Sequence, residues 1–240
     1  MHNNALKTNC NESTHSAIAF KKRTVSSILD RSHLELRTDR HAAPFEAWCN
    51  AGAEISAALI TAALAADLLF KDPADLEQVA WSCYWAAAAA MIGIFVHSDL
   101  LVSAALLFFI GLGSPAWIIG RLVEHEIDPT SVLIHTIPPI AGLLYLLGGG
   151  GFSRHAVLGA WSLHAFPLAF AHFFCDPAKN INLASRVWPP LAHFIPELWQ
   201  FHALSLALSA AMFALMARII RRWLAHEIRT NPLRFDYAKR

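Results

Sequence analysis

The chain has 240 residues, of which 55% are hydrophobic and only 15% charged, with a mean hydropathy of +0.40. Such a composition is too apolar for an ordinary soluble domain and points to one polytopic membrane unit. Its 19 Lys and Arg against 18 Asp and Glu leave a net charge of +1, so no global basic field exists to hold the protein on nucleic acid. Low charge, few glycines and apolar residues in blocks rather than heptads also exclude disorder, collagen and coiled coil.

In chain order, residues 1 to 47 read as a polar tail of mixed charge, with the basic cluster Lys21, Lys22 and Arg23 and alternating charges from Asp30 to Arg40. The early apolar stretch Ala17 to Phe20 is too short for a secretory signal, so the first span is expected to do the targeting. A bilayer core takes roughly 20 apolar residues per helix. Six such blocks occur, at about 51–70, 78–97, 100–120, 131–148, 155–175 and 202–224. Turn chemistry separates them: Asp72-Pro73, His97-Ser98-Asp99, Asp128-Pro129, Gly148 to Gly151, and a linker from Asp176 to Gln200 with Pro177, Pro189, Pro190 and Pro196. The prolines favour a re-entrant or interfacial segment at 186–201 over a seventh span. Residues 226–240 form a second, basic tail, which leaves 48–225 as the transmembrane domain.

An even number of spans puts both tails on one side. The tails and Arg154 hold most of the Lys and Arg, whereas the opposite loops hold Lys71, Arg121, Lys179 and Arg186. Both termini are therefore expected in the cytoplasm. The fold expected is all-α, a polytopic integral membrane protein of about six transmembrane helices.

Ionisable groups are costly in lipid, which singles out Glu54, Asp67, His135, His164 and His172. Asp67 lies one turn before Lys71 and reads as helix-end solvation. Glu54 near a helix start suits the helix dipole. His135 stands out by its context, Leu133-Ile134-His135-Thr136-Ile137-Pro138-Pro139, because the two prolines deprive the carbonyls of Ile134 and His135 of helical partners. A His-x-x-Pro pattern recurs at His164 to Pro167 and His193 to Pro196. His164 and His172 are about 80° apart around an ideal helix. They could join His135 as ligands, but no diagnostic haem or metal motif accompanies them. The thiols Cys10, Cys49, Cys83 and Cys175 have no CxxC or zinc-finger spacing, so each is judged singly. Cys83 needs a base from another helix to be a nucleophile, and Cys175, beside His172 and Asp176, is the local competitor. Spacing does not decide between them.

From the second block onward the chain resembles the YwaF-like bacterial membrane proteins and the eukaryotic transmembrane acyltransferases grouped with them. The residues carrying the resemblance are Cys83, the run Phe109-Ile110-Gly111-Leu112-Gly113, His135 with Gly142-Leu143-Leu144-Tyr145-Leu146, and the hook Asn180-Ile181-Asn182-Leu183 followed by Pro196 and Trp199. It covers roughly residues 80 to 220. The chain departs from the family pattern in having Tyr84 where an acid follows the Cys, and Ile181 where the hook carries a Tyr. The resemblance implies a multi-pass protein of a bacterial inner membrane, with Cys83 as acyl-accepting nucleophile and His135 as its base.

The leading expectation is a lipid-acting acyltransferase or ester hydrolase. The amides of Asn180 and Asn182 are expected to serve the oxyanion, and His164 and His172 to line the substrate site. Membrane lipids are the expected partners, and no cofactor or metal is expected. The alternative is a non-catalytic membrane protein, a small transporter or assembly partner, in which the same polar residues form a conduit or an interface.

Overall fold

A computed structural model describes residues 44–124 and 129–230. Most of the N-terminal tail, the end of the basic C-terminal tail and Asp128 of the Asp128-Pro129 turn lie outside these residues. The described residues form helices and connecting turns with no strand, and five helices are long and apolar enough to cross a membrane. The all-α polytopic expectation holds.

Helix α1 spans Pro44–Phe70. It is followed by a 3-10 helix, Pro73–Ala80, and by α2, Ser82–Phe95. Helix α3 spans Asp99–Val123, α4 Pro129–Leu147 and α5 Ala156–Phe174. A hook with one 3-10 turn (Ile181–Leu183) and one helical turn (Pro189–Ala192) then leads to α6, Leu198–Thr230. Thus α1 begins inside the stretch read as tail and α6 continues beyond residue 225. Residues 186–197 hold only the four-residue turn Pro189–Ala192 and no seventh span, whereas 198–201 already belong to α6.

The six apolar blocks match α1 to α6, with one difference. The block expected at 78–97 yields only 14 residues of α-helix in α2, about 21 Å of rise and short of a bilayer core. Its alanines explain how this is tolerated. Ala86, Ala87 and Ala90 are almost fully buried, so much of the helix is surrounded by protein rather than lipid.

Helix α3 is the centre of the bundle. Of its most apolar stretch 56% is buried, against 22–39% for the other four long helices. It packs chiefly on α2 and α5 and also touches α4 and α6. Lipid is as apolar as leucine, so helices associate here through close packing rather than hydrophobic transfer, and small residues set the distance. A Cβ on Gly93 of α2 would come within 2.9 Å of the Val102 backbone nitrogen, and one on Gly159 of α5 within 2.8 Å of the Ala104 Cβ.

Midway, α3 contains a π turn, Phe109–Gly113, with the Ser114 N–H bonded back to the Phe109 carbonyl. Such a turn inserts one residue and re-aims the rest of its helix. Asn50, near the start of α1, and Leu224, near the end of α6, line one cavity, so the first and last helices share an end of the bundle.

Candidate functional site

His135 is buried within α4. Its Nδ1 lies 2.7 Å from the Ser131 carbonyl one turn earlier. A carbonyl only accepts, so this nitrogen carries the proton and Nε2 keeps its lone pair. Nε2 has no hydrogen-bond partner among the described residues. Trp117 of α3 stacks on the imidazole at 5.0 Å and 12°, and the Phe109 ring meets it edge-on at 6.1 Å. The Trp117 indole donates to Ser131 Oγ at 2.7 Å, fixing the ring that covers the histidine.

The backbone consequence of the two prolines is visible beside it. Pro139 has no N–H for the His135 carbonyl, and Ser114 Oγ, the first residue after the π turn, donates to that oxygen at 2.7 Å. The His135 carbonyl that the prolines deprive of its helical partner is therefore capped by a hydroxyl from α3.

Cys83 lies near the start of α2, partly buried against the main core. Helices α2 and α4 touch, yet among the described residues no hydrogen bond joins Cys83 to His135. The charges whose field reaches the Cys83 thiol are those of Lys71 and Asp67.

These two belong to a network that sequence reasoning missed. Lys71 Nζ is 2.7 Å from Asp67 Oδ2, with side chains only 10% and 9% exposed. The Tyr84 hydroxyl donates to the same oxygen at 2.6 Å and accepts from Lys71 at 3.0 Å, while Thr130 Oγ1 donates to Asp67 Oδ1 at 3.2 Å. Asp67 is therefore not a solvated helix end. It ties α1 to α2 and α4 through a charge-balanced cluster, whose members satisfy one another where water is scarce. The i,i+4 spacing of Asp67 and Lys71 was the available signal, and nothing in it announced Tyr84 or Thr130.

The hook explains both asparagines. Asn180 and Asn182 have left-handed backbones, with φ of 48° and 55°, a region asparagine tolerates better than most residues. Asn182 Oδ1 accepts from the Ser82 N–H at 2.8 Å and the Ser82 hydroxyl at 3.1 Å, capping α2 from a distant part of the chain. Its Nδ2 donates to the carbonyls of Ala80 at 2.7 Å and Pro167 at 3.2 Å. Asn180 Oδ1 accepts from the amides of Ser185 and Arg186, and its Nδ2 donates to the Arg186 carbonyl. The groups expected to donate to an oxyanion are thus engaged in holding the hook.

His172 Nδ1–H and His202 Nε2–H donate to the neighbouring hook carbonyls Ala184 (2.8 Å) and Leu183 (3.1 Å), and their rings meet at 6.0 Å. His164, buried in α5, pairs with Ser205 Oγ of α6 at 3.1 Å. His164, His172 and His202 therefore fasten α5, α6 and the hook together. His202 was not singled out from sequence. Among the described residues, no group of three or more His, Cys, Asp or Glu is arranged to hold a metal.

Cys175 caps the end of α5, outside the apolar span. Burial, followed by the charge of Glu77, pushes its thiol above the ordinary range, which disfavours the thiolate.

At the other end of the bundle lies a cavity of about 570 Å³, lined by α1, the α2–α3 turn, the end of α4, the glycine loop and α6. It was not foreseen from sequence, because its polar residues come from four separate segments.

Comparisons with protein-family models, with curated proteins and with solved structures return no match to this chain.

Proposed function

We propose that this integral membrane protein acts on lipids, as an acyltransferase or ester hydrolase using Cys83 and His135. The observation that carries the reading is His135 itself, a histidine inside a membrane helix with Nδ1–H tied to a carbonyl and Nε2 left as a free base. In the reaction, Nε2 takes the Cys83 thiol proton and the sulfur attacks the acyl ester carbonyl. The alkoxide leaves with the proton from the imidazolium. The resulting thioester then passes its acyl group to a lysolipid hydroxyl or to water. Unliganded geometry is commonly looser than that of the loaded site, so closure of sulfur on imidazole accompanies substrate binding. The bacterial inner membrane is the location this reading adopts, and within it the distribution of Lys and Arg supports placing both tails in the cytoplasm.

Lipid profiles of cells with and without the gene, and with the variants Cys83→Ala, His135→Ala and Cys175→Ala, test it. The first two are expected to abolish the lipid change while the protein remains inserted, and the third to retain it. Essential Cys175 with dispensable Cys83 would move the site. Indifference of all three would remove thiol catalysis.

One observation favours a second reading, a non-catalytic transporter or assembly partner. Asp67, Lys71, Tyr84, Asn182, His164 and His172 are all engaged in bonds between helices or to the hook, which is the arrangement of a scaffold.

A further inference from the structure

We propose that Ser205 and His164 form a second reactive pair, a nucleophile and its base, which cleaves neutral carboxylic esters small enough to enter from the bilayer. The inference goes beyond the Cys83 and His135 reading and does not depend on it.

Three groups on α5 and α6 converge. His164 Nε2 lies 3.1 Å from Ser205 Oγ, the separation expected of a base and its nucleophile. Hydroxyls inside helices commonly turn back to the carbonyl four residues earlier, as those of Ser56, Thr61 and Thr136 do here. Ser205 does not; its side-chain bond among the described residues is to His164. Counting protons gives the direction of that bond. With Ser205 donating to Nε2, only the Nδ1–H lacks a partner among the described residues. With Nε2–H donating to Oγ, both the Nδ1 lone pair and the serine proton lack one. Burial favours the arrangement with fewer unmatched groups, so Nε2 is the acceptor. His164 is only 8% exposed, and its Nδ1–H is left for a water or a ligand to satisfy. The third group is the Trp161 indole, three residues before His164. Its N–H reaches the carbonyl of Leu206, next to Ser205, at 3.2 Å, but that oxygen already accepts from the Ser209 hydroxyl at 3.0 Å and belongs to the ladder of α6. A carbonyl has two lone pairs, so the indole is the spare donor, free to turn to an oxyanion formed at Ser205.

Ser205 is half-buried, between the exposed Leu204 and Leu208 (50% and 59%) and the buried Phe201 and Ser209, so it stands where the bundle meets lipid. Seven residues separate it from the start of α6, about 10 Å of rise, which places the pair within an apolar span. Among the described residues, the ionisable group whose field reaches His164 is His202. A charged headgroup would find no countercharge there, and this selects a neutral ester over a phospholipid. In the reaction, Ser205 passes its proton to Nε2 as Oγ attacks the ester carbonyl, and the alkoxide leaves with that proton. A water, deprotonated by the same nitrogen, then splits the acyl-serine into a carboxylic acid and the free hydroxyl.

The test uses the full-length protein in detergent, carrying Cys83→Ala so that any thiol reaction is silent. An alkyl fluorophosphonate should form an Oγ–P bond at Ser205 with loss of fluoride, located by peptide mass spectrometry, and p-nitrophenyl butyrate should be hydrolysed. Adding Ser205→Ala should abolish both. His164→Gln can still hydrogen-bond the serine, so it should keep the melting temperature while slowing both reactions by about 100-fold. A helix clamp without chemistry would show neither reaction. Trp161→Phe keeps the ring and loses the N–H, and should slow both by at least about tenfold; it decides the matter should His164→Gln melt lower. Absence of labelling at Ser205, hydrolysis that survives Ser205→Ala, or rates unchanged in a folded His164→Gln or Trp161→Phe protein would overturn the proposal. None of these results bears on Cys83, which the lipid profiles test separately.

Discussion

Replacing Asn182 with alanine removes four hydrogen bonds at one stroke: two accepted from Ser82 and two donated to the Ala80 and Pro167 carbonyls. At about 0.5–1.5 kcal/mol net each, and with some partners rescued by water or rearrangement, the loss is about 2–4 kcal/mol. Alanine must also adopt the φ of 55° held by Asn182, adding about 1 kcal/mol. The sum, about 3–5 kcal/mol, corresponds to a fall of roughly 10 °C in apparent melting temperature for a domain of this size. Thermal unfolding of the purified protein in detergent, followed by far-UV circular dichroism, measures it. Asn182→Gly loses the same bonds without the backbone penalty, so it should melt higher than Asn182→Ala. A fall below about 2 °C for alanine, or glycine melting lower than alanine, would refute the assignment of Asn182 as the clamp between α2, α5 and the hook.

Asp67→Asn leaves the Lys71 ammonium buried beside a neutral amide and should cost about 3 kcal/mol, whereas Asp67→Leu combined with Lys71→Met should cost less, as read from the same melts. Gly93→Ala forces a methyl group against the Val102 backbone, which cannot move aside as a side-chain tip would, and should destabilise by about 1–3 kcal/mol. The raised Cys175 thiol remains protonated at pH values where an ordinary cysteine has begun to ionise. Its iodoacetamide labelling, followed by mass spectrometry of the folded protein, should therefore be slow near neutrality and accelerate only at a pH above that of a model thiol; acceleration at or below the model pH would contradict the burial argument.

The spans were legible because hydropathy reports where apolar residues concentrate. It does not report what surrounds them. Helix α2 shows the difference: Trp81 to Phe95 is as apolar as a lipid-facing span, but its alanines face protein, and the helix is correspondingly short. His135 was legible through Pro138 and Pro139, whose missing donors are a local property. The capture of its carbonyl by Ser114 was not, since it depends on the phase of α3 some twenty residues away. Asp67 gives the converse case. Its pairing with Lys71 was written in the i,i+4 spacing, but its burial and its bonds to Tyr84 and Thr130 arise only when α1, α2 and α4 meet. The asparagine hook likewise advertised importance without revealing that its amides bind backbone.

The π turn at Phe109–Gly113 makes the environment of His135 a matter of counting. Were those five residues to wind as regular α-helix with none removed, everything beyond them would turn by about 100° and move about 1.5 Å further along the axis. Ser114 and Trp117 would then swing away from α4 together, uncapping the His135 carbonyl and stripping the imidazole of its stacked cover. Val102 to Phe108, before the turn, would keep their places against α2 and α5. The bundle thus contains a single-residue phase shift that separates the half of α3 that builds the core from the half that attends the histidine. A deletion within the turn would remove the extra residue together with the bulge that absorbs it and leave both halves in phase.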